Sequence, residues 1–156
     1  MCSSDLIGAR AGLGAATVVR AFGSKDALLD AAVSRLLEPV VRRARDLLAT
    51  TTPHEALRTF LRELIAFQAA HHTVNDQLDR RQLPATIALS AELEAAMAEM
   101  IDGARRDGAI RADLDPVVVT TLIRQTAPAL AQAQPLPPEL IEGYLTVLLD
   151  GLRPAP

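Results

Sequence analysis

Apolar residues recur every three or four positions along most of the chain, the pattern of helices that each bury one face. From Lys25 to Thr50 the recurrence passes through Leu29, Val33, Leu36, Val40 and Leu47, and Pro39 interrupts it. An interior proline removes one helix hydrogen bond at a cost of about 3 kcal/mol, so a kink near Leu37 or Glu38 is expected, either a hinge or an inert bend. Thr52-Pro53-His54-Glu55 is a capping box with proline at the first helical position, which starts a helix whose inner face is Leu57, Phe60, Leu61, Leu64, Ile65 and Gln68. After His71 and His72 the pattern breaks from Asn75 to Pro84, a short helix or loop. Leu93, Met97, Met100, Ile101 and Ala104 mark the next helix, ended by Asp107-Gly108. Asp115-Pro116 opens another, with Val119, Leu122, Ile123 and Leu130 inward and Pro128 bending its end. Beyond Pro135-Leu136-Pro137-Pro138, a final helix carries Ile141, Tyr144, Leu145, Leu148 and Leu152. The pattern predicts an all-α fold.

The stretch from Ile7 to Leu29 differs: two short helices flank a glycine turn and run at once into the long helix. Ile7, Ala11, Leu13 and Val18 can turn inward, while Gly12 and Gly14 free the backbone for a steep crossing, as a helix-turn-helix requires. Its second helix, from about Ala15 to Phe22, would enter a major groove. Thr17 and Arg20 lie one turn apart on one face, suited to backbone or base-edge contact. Ser24 is a good N-cap for the helix beginning at Lys25, and Asp26 in the first turn suits the helix dipole. Lys25, the only lysine in the chain, is placed to join the helix N-terminus in holding a phosphate; the plain alternative is a solvated lysine. Phe22 is expected in the core.

The ordered residues Ala9, Arg10, Ala11, Gly12, Thr17, Val18, Arg20, Phe22, Ser24, Lys25, Asp26, Ala27 and Leu28 resemble the DNA-binding head of the TetR family of bacterial transcriptional regulators. The chain departs from that pattern at Val19, Ala21 and Gly23, where the family most often has Tyr, His and Pro, so a phosphate-contacting hydroxyl and a possible base contact are missing. The segment from Ala104 to Pro116 is similar to a frequent turn of the same family's helical body. The resemblance implies DNA contact by Ala15, Ala16, Thr17, Val18, Arg20 and Lys25, and a double-stranded operator as partner of the complete protein. It also implies a body that binds a small-molecule effector and dimerises, the whole acting as a ligand-responsive repressor. Phe60, Leu64, Phe67, His71, Met97 and Met100 are the expected pocket lining, although each also fits as simple core. By the same resemblance the last two helices pair with their copies in a four-helix bundle, which assigns Leu122, Ile141, Leu145, Leu148 and Leu152 to a homodimer interface; their apolar faces alone also fit a monomer core.

Three segments are expected: a non-native leader over 1–6, a partial helix-turn-helix head over 7–30, and a helical ligand-binding and dimerisation domain over 31–156. Too few residues precede Ile7 for the first helix of such a head. The head is therefore read as truncated, with frayed inner faces and little specific DNA affinity by itself.

Composition narrows the remaining classes. The apolar fraction of 49% is mostly Ala, Leu and Val, with no Trp, one Tyr and three Phe, which favours helices over strands. No run approaches a membrane span and no secretory signal opens the chain, so a cytoplasmic location without membrane contact is expected. Cys2 is the single cysteine, which excludes a disulfide framework. The net charge of −3 falls on the body, because Arg10, Arg20 and Lys25 balance Asp5, Asp26 and Asp30 near the start. DNA would then be held by local placement of cations. His54, His71 and His72 are the only histidines, and adjacent helical residues point about 100° apart, so the last two are poorly placed to share a metal; His72 with Asp76 could. No catalytic or metal site and no cofactor is assigned. A helical small-molecule-binding or interaction module without DNA activity is the alternative, with an enzyme behind it.

Overall fold

A computed structural model describes residues 15–71 and 83–155. The expected leader, the glycine turn, the fraying of 7–14, and His72 and Asp76 lie outside the described residues. Six helices follow in order: α1 (Ala15–Phe22), α2 (Lys25–Thr50), α3 (Pro53–Ala70), α4 (Pro84–Arg106), α5 (Pro116–Ala131) and α6 (Pro138–Gly151). No strand occurs among the described residues.

Local chemistry accounts for most of the boundaries. Gly23, at φ +80°, turns the chain between α1 and α2, and Ser24 Oγ accepts the Ala27 N–H at 3.0 Å. Such a backbone is open to glycine at little steric cost. Thr52 and Glu55 exchange side-chain hydrogen bonds with each other's backbone N–H at the start of α3, each at 3.4 Å. Asp115 accepts the Val117 N–H at 2.8 Å and starts α5. After α4 the chain reverses at Gly108, φ +72°, where the Ala109 N–H donates back to the Ala104 carbonyl at 2.8 Å. Arg105 then donates to the carbonyls of Ala112 and Leu114, and Arg111 grips Asp113, which stiffens the turn into α5. Pro39 stays inside α2, which continues on both sides of it.

Helix α3 is the centre of the molecule, in contact with α2, α4, α5 and α6. Leu57, Phe60, Leu61 and Ile65 on α3 join Met97, Met100, Ile101 and Ala104 on α4, Val119, Ile123 and Ala127 on α5, and Leu145, Leu148 and Leu149 on α6 in one buried cluster. At roughly 1.5–3 kcal/mol for each fully buried aliphatic or aromatic side chain, this cluster supplies the main drive to fold. Ile110, from the turn, plugs the same cluster, and Arg111 N–H donates to the Leu152 carbonyl at 2.7 Å, closing the end of α6 onto it.

That packing corrects the expected interface. Ile141, Leu145, Leu148 and Leu152 are all buried inside the chain's own core, because α6 lays its apolar stripe on its own helices; a side chain already removed from water gains no burial from a partner. The apolar residues that α5 and α6 leave exposed are Val117, Val118, Leu122, Leu140 and Val147. Phe22 also departs from expectation, with 47% of its surface exposed.

At the α3–α4 crossing, a Cβ added to Gly103 would lie 2.7 Å from both Cβ and Cγ of Pro53. The proline ring cannot swing away, so Gly103→Ala is expected to destabilise the fold by about 1–3 kcal/mol in denaturant unfolding. Helix propensity alone would stabilise that variant by about 1 kcal/mol, so the sign of the change identifies the close approach.

Candidate DNA-reading face and effector cavity

Helix α1 carries the residues expected to read DNA. Thr17 and Arg20 are exposed, three positions apart on one face, and Lys25 is exposed at the first turn of α2. Ala15, Ala16 and Val18 lie on the same helix, though their side chains are outside the described set. Among Arg42, Arg43 and Arg45, two cations are engaged within the protein: Arg43 forms a two-pronged pair with Glu63, and Arg45 pairs with Glu92.

One turn after Lys25, Asp30 reaches across from α2 to the start of α4. Its carboxylate accepts the Ala85 N–H at 3.0 Å, the Thr86 N–H at 2.9 Å and the Thr86 hydroxyl at 2.8 Å. Leu83, the residue in the cap position of α4, offers no side-chain cap of its own. Asp30 therefore supplies, from another helix, the acceptor that orphan N–H groups at a helix start require. Desolvation pushes its carboxyl pKa up, but the hydrogen bonds from Ala85 and Thr86 outweigh it and hold the pKa below the ordinary 3.8. The clasp joins the segment beside α1 to a helix whose next turns, from Ser90 to Met97, line a cavity.

That cavity, of about 230 Å³, lies between α3, α4 and α5. Phe60, Leu64 and Gln68 line it at four-residue intervals on α3; Ser90, Leu93, Glu94 and Met97 line it on α4; Ile123, Arg124, Ala127 and Pro128 complete it on α5. Phe60, Met97, Ile123 and Ala127 are buried and form the floor, whereas Ser90, Glu94 and Arg124 are exposed and form the mouth. Glu94 and Arg124 face each other across 3.9 Å, so the mouth carries one charge of each sign. Gln68 Oε1 is buried and accepts no hydrogen bond. An unpaired buried acceptor costs about 1–3 kcal/mol, and this oxygen is closed off from solvent although other atoms of its residue line the cavity.

Of the expected lining, Phe60, Leu64 and Met97 are in place. Met100 is not; it points one turn deeper and is fully buried in the core. Phe67 and His71 are not in the lining either: their rings pack at 4.4 Å between centroids, and His71 Nδ1 lies 2.8 Å from the Phe67 carbonyl. The residues missed on α5 could not be joined to α3 and α4 by periodicity, since only packing brings the three stripes together. Below the cavity, Arg58 and Arg62 of α3 both hold Glu142 of α6. The Arg62 hydrogen bond is the largest cause that brings the Glu142 carboxyl down to about 2; desolvation opposes it, and Arg58 adds to it. No set of three metal-ligating side chains, and no helix long and apolar enough to cross a membrane, occurs among the described residues.

A short helix leading directly into a long one, followed by a helical body with a cavity open at one side, fits a DNA-binding transcriptional regulator. Residues 52–154 match the C-terminal domain of SbtR-like transcriptional regulators, and the chain belongs to the TetR family. The TetR regulatory protein of Mycobacterium vanbaalenii is similar at 33% identity and a TM-score of 0.67, with 98% of this chain and 84% of that one covered. The TetR regulator SCO0520 of Streptomyces coelicolor shares 27% identity at a TM-score of 0.65, over 96% of this chain and 86% of its own. The ketosteroid regulator KstR2 of Mycobacterium tuberculosis has the same fold, with a TM-score of 0.77 at 20% identity, over 99% of this chain and 86% of its own. A search of functionally characterised sequences finds no significant match. The relatives are regulators of transcription.

Proposed function

We propose that the chain is a ligand-responsive repressor in which α1 reads a double-stranded operator and the α3–α4–α5 cavity takes a small-molecule effector. The observation that carries this reading is the Asp30 clasp. It connects α2, whose first turn follows α1, to α4, which lines the cavity. A ligand that shifts α4 pulls on Asp30, and the effector thereby favours an arrangement of α1 that fits DNA less well. Coupling of this kind needs two arrangements with different affinity for each ligand, and the clasp is the element whose making or breaking separates them. The active species in this reading is a homodimer paired through Val118, Leu122, Leu140 and Val147, the apolar surface left on α5 and α6. A head over 7–30 and a body over 31–156 divide the two tasks.

The test is binding of the protein with a complete head to a selected double-stranded DNA site at several salt concentrations. Affinity is expected to fall steeply with salt, and Arg20→Ala to weaken binding by about tenfold or more. Sequence-independent binding unaffected by Arg20→Ala would favour a ligand-binding module without DNA activity.

A further inference from the structure

We infer that the cavity between α3, α4 and α5 takes a zwitterion with an apolar side group, the chemistry of a free apolar or aromatic α-amino acid, with Glu94 holding its ammonium and Arg124 its carboxylate. The inference rests on the effector-cavity reading and adds the class of effector. The mouth decides the head of the ligand. Glu94 on α4 and Arg124 on α5 bring one charge of each sign to the same rim, and both side chains are more than half exposed. They stay 3.9 Å apart, out of hydrogen-bond reach, whereas Arg43–Glu63 and Arg58–Glu142 close to 2.9 Å. No other side chain among the described residues pairs with either, so the donors of Arg124 and the oxygens of Glu94 remain open to a ligand. An exposed pair of this kind adds little to stability, and a ligand that parts it loses little.

Heads of a single sign fit this mouth poorly. A carboxylate drawn to Arg124 comes to lie beside Glu94, and an amine drawn to Glu94 comes to lie beside Arg124, so a like charge close by offsets much of the gain. An α-amino acid carries its ammonium and carboxylate on one carbon, side by side as the two partners are, and each can form a charge-assisted hydrogen bond. The floor decides the rest of the molecule. Met97 lies one turn from Glu94 on α4, Ile123 and Ala127 flank Arg124 on α5, and Phe60 and Leu64 line the α3 side. Both charges therefore stand at the edge of an apolar surface. The side group leaves water there, while the head keeps part of its hydration at the open mouth. A charged side group on the same floor would lose its hydration without a partner, which selects for the apolar members of the class.

Four probes that share a phenyl group test this on the whole chain by calorimetric titration: phenylalanine, hydrocinnamate without the ammonium, phenethylamine without the carboxylate, and propylbenzene without either. Phenylalanine is expected to bind at least about tenfold more tightly than hydrocinnamate or phenethylamine. Glu94→Gln is expected to erase its advantage over hydrocinnamate, and Arg124→Gln its advantage over phenethylamine, while propylbenzene binds both variants as it binds the wild type. Ala127→Phe, which fills the floor, is expected to abolish binding of all four; Leu64→Trp, at a half-buried wall position, does the same should the first variant not fold. Hydrocinnamate or phenethylamine binding as tightly as phenylalanine, or phenylalanine indifferent to either charge variant, would overturn zwitterion recognition. Propylbenzene that still binds and is lost on filling would in that case keep the cavity as a ligand site. Absence of binding by all four probes, or binding indifferent to both filling variants, would overturn the effector-cavity reading together with the inference.

Discussion

Leu145→Glu is expected to unfold the protein, whereas the pair Leu140→Glu and Val147→Glu leaves it folded and releases monomers from the proposed dimer. Leu145 has no solvent exposure and packs in the cluster shared by α3, α4, α5 and α6. A carboxylate placed there must lose its hydration without gaining a partner, or α6 must leave the core; either costs several kcal/mol. Domains of this kind hold only about 5–15 kcal/mol in total, so little or no folded population is expected to survive. Val147 is 77% exposed, and a charge there changes monomer stability within about 0.5 kcal/mol. Its effect is confined to association, where charge repulsion meets its own copy across the pairing surface. Thermal unfolding by circular dichroism and sedimentation velocity separate the two outcomes. A folded, monomeric Leu145→Glu variant would return that residue to an interface and contradict the packing of α6.

The second large effect is expected at Asp30. Asp30→Ala removes three hydrogen bonds at the start of α4, and Leu83 offers no side chain to replace them. Loss of a helix cap costs about 0.5–2 kcal/mol, and the lost charge at the positive end of the helix adds to it. The dependence on pH follows from the lowered carboxyl pKa. A group that is more acidic folded than unfolded contributes stability above its unfolded value and loses it as pH falls through the folded one. The wild-type advantage over Asp30→Ala is thus full above the ordinary 3.8 and disappears in more acidic solution. Melting temperatures of both forms across acid pH would show the convergence. In the proposed mechanism the same variant also loses most of the effector-induced release of DNA, while effector binding in the cavity persists. An unchanged effector response in Asp30→Ala would remove the clasp from the coupling route.

Helix boundaries with a local cause were legible from residue order. Ser24, the Thr52–Glu55 box and Asp115 each satisfy N–H groups within their own helix start, so the signal and the structure occupy the same few residues. Gly108 ends the reach of α4 for an equally local reason, a left-handed backbone that suits glycine. The start of α4 at Pro84, well before the first clear apolar mark at Leu93, had a proline at its first position but no capping side chain before it. Its capping group comes from Asp30, on another helix, and chain order does not show that the two ends meet.

Periodicity selected which face of each helix avoids water, but not what covers it. The stripe of Ile141, Leu145, Leu148 and Leu152 fitted a partner chain and a monomer core equally well, and packing of α6 on α3 decided for the core. The cavity shows the same division. Phe60, Leu64 and Met97 could be guessed as lining because they lie on inward faces, and so could Met100, which one more turn of α4 carries past the cavity into the core. Gln68 was legible as an inward position, while the lack of a donor for its buried oxygen was visible only in the folded chain. By itself the sequence determined the helical class, the family and the caps, because these depend on residues near one another along the chain. The cavity, the Asp30 clasp and the choice of exposed face were decided by tertiary structure, because each depends on distances between helices that no local spacing encodes.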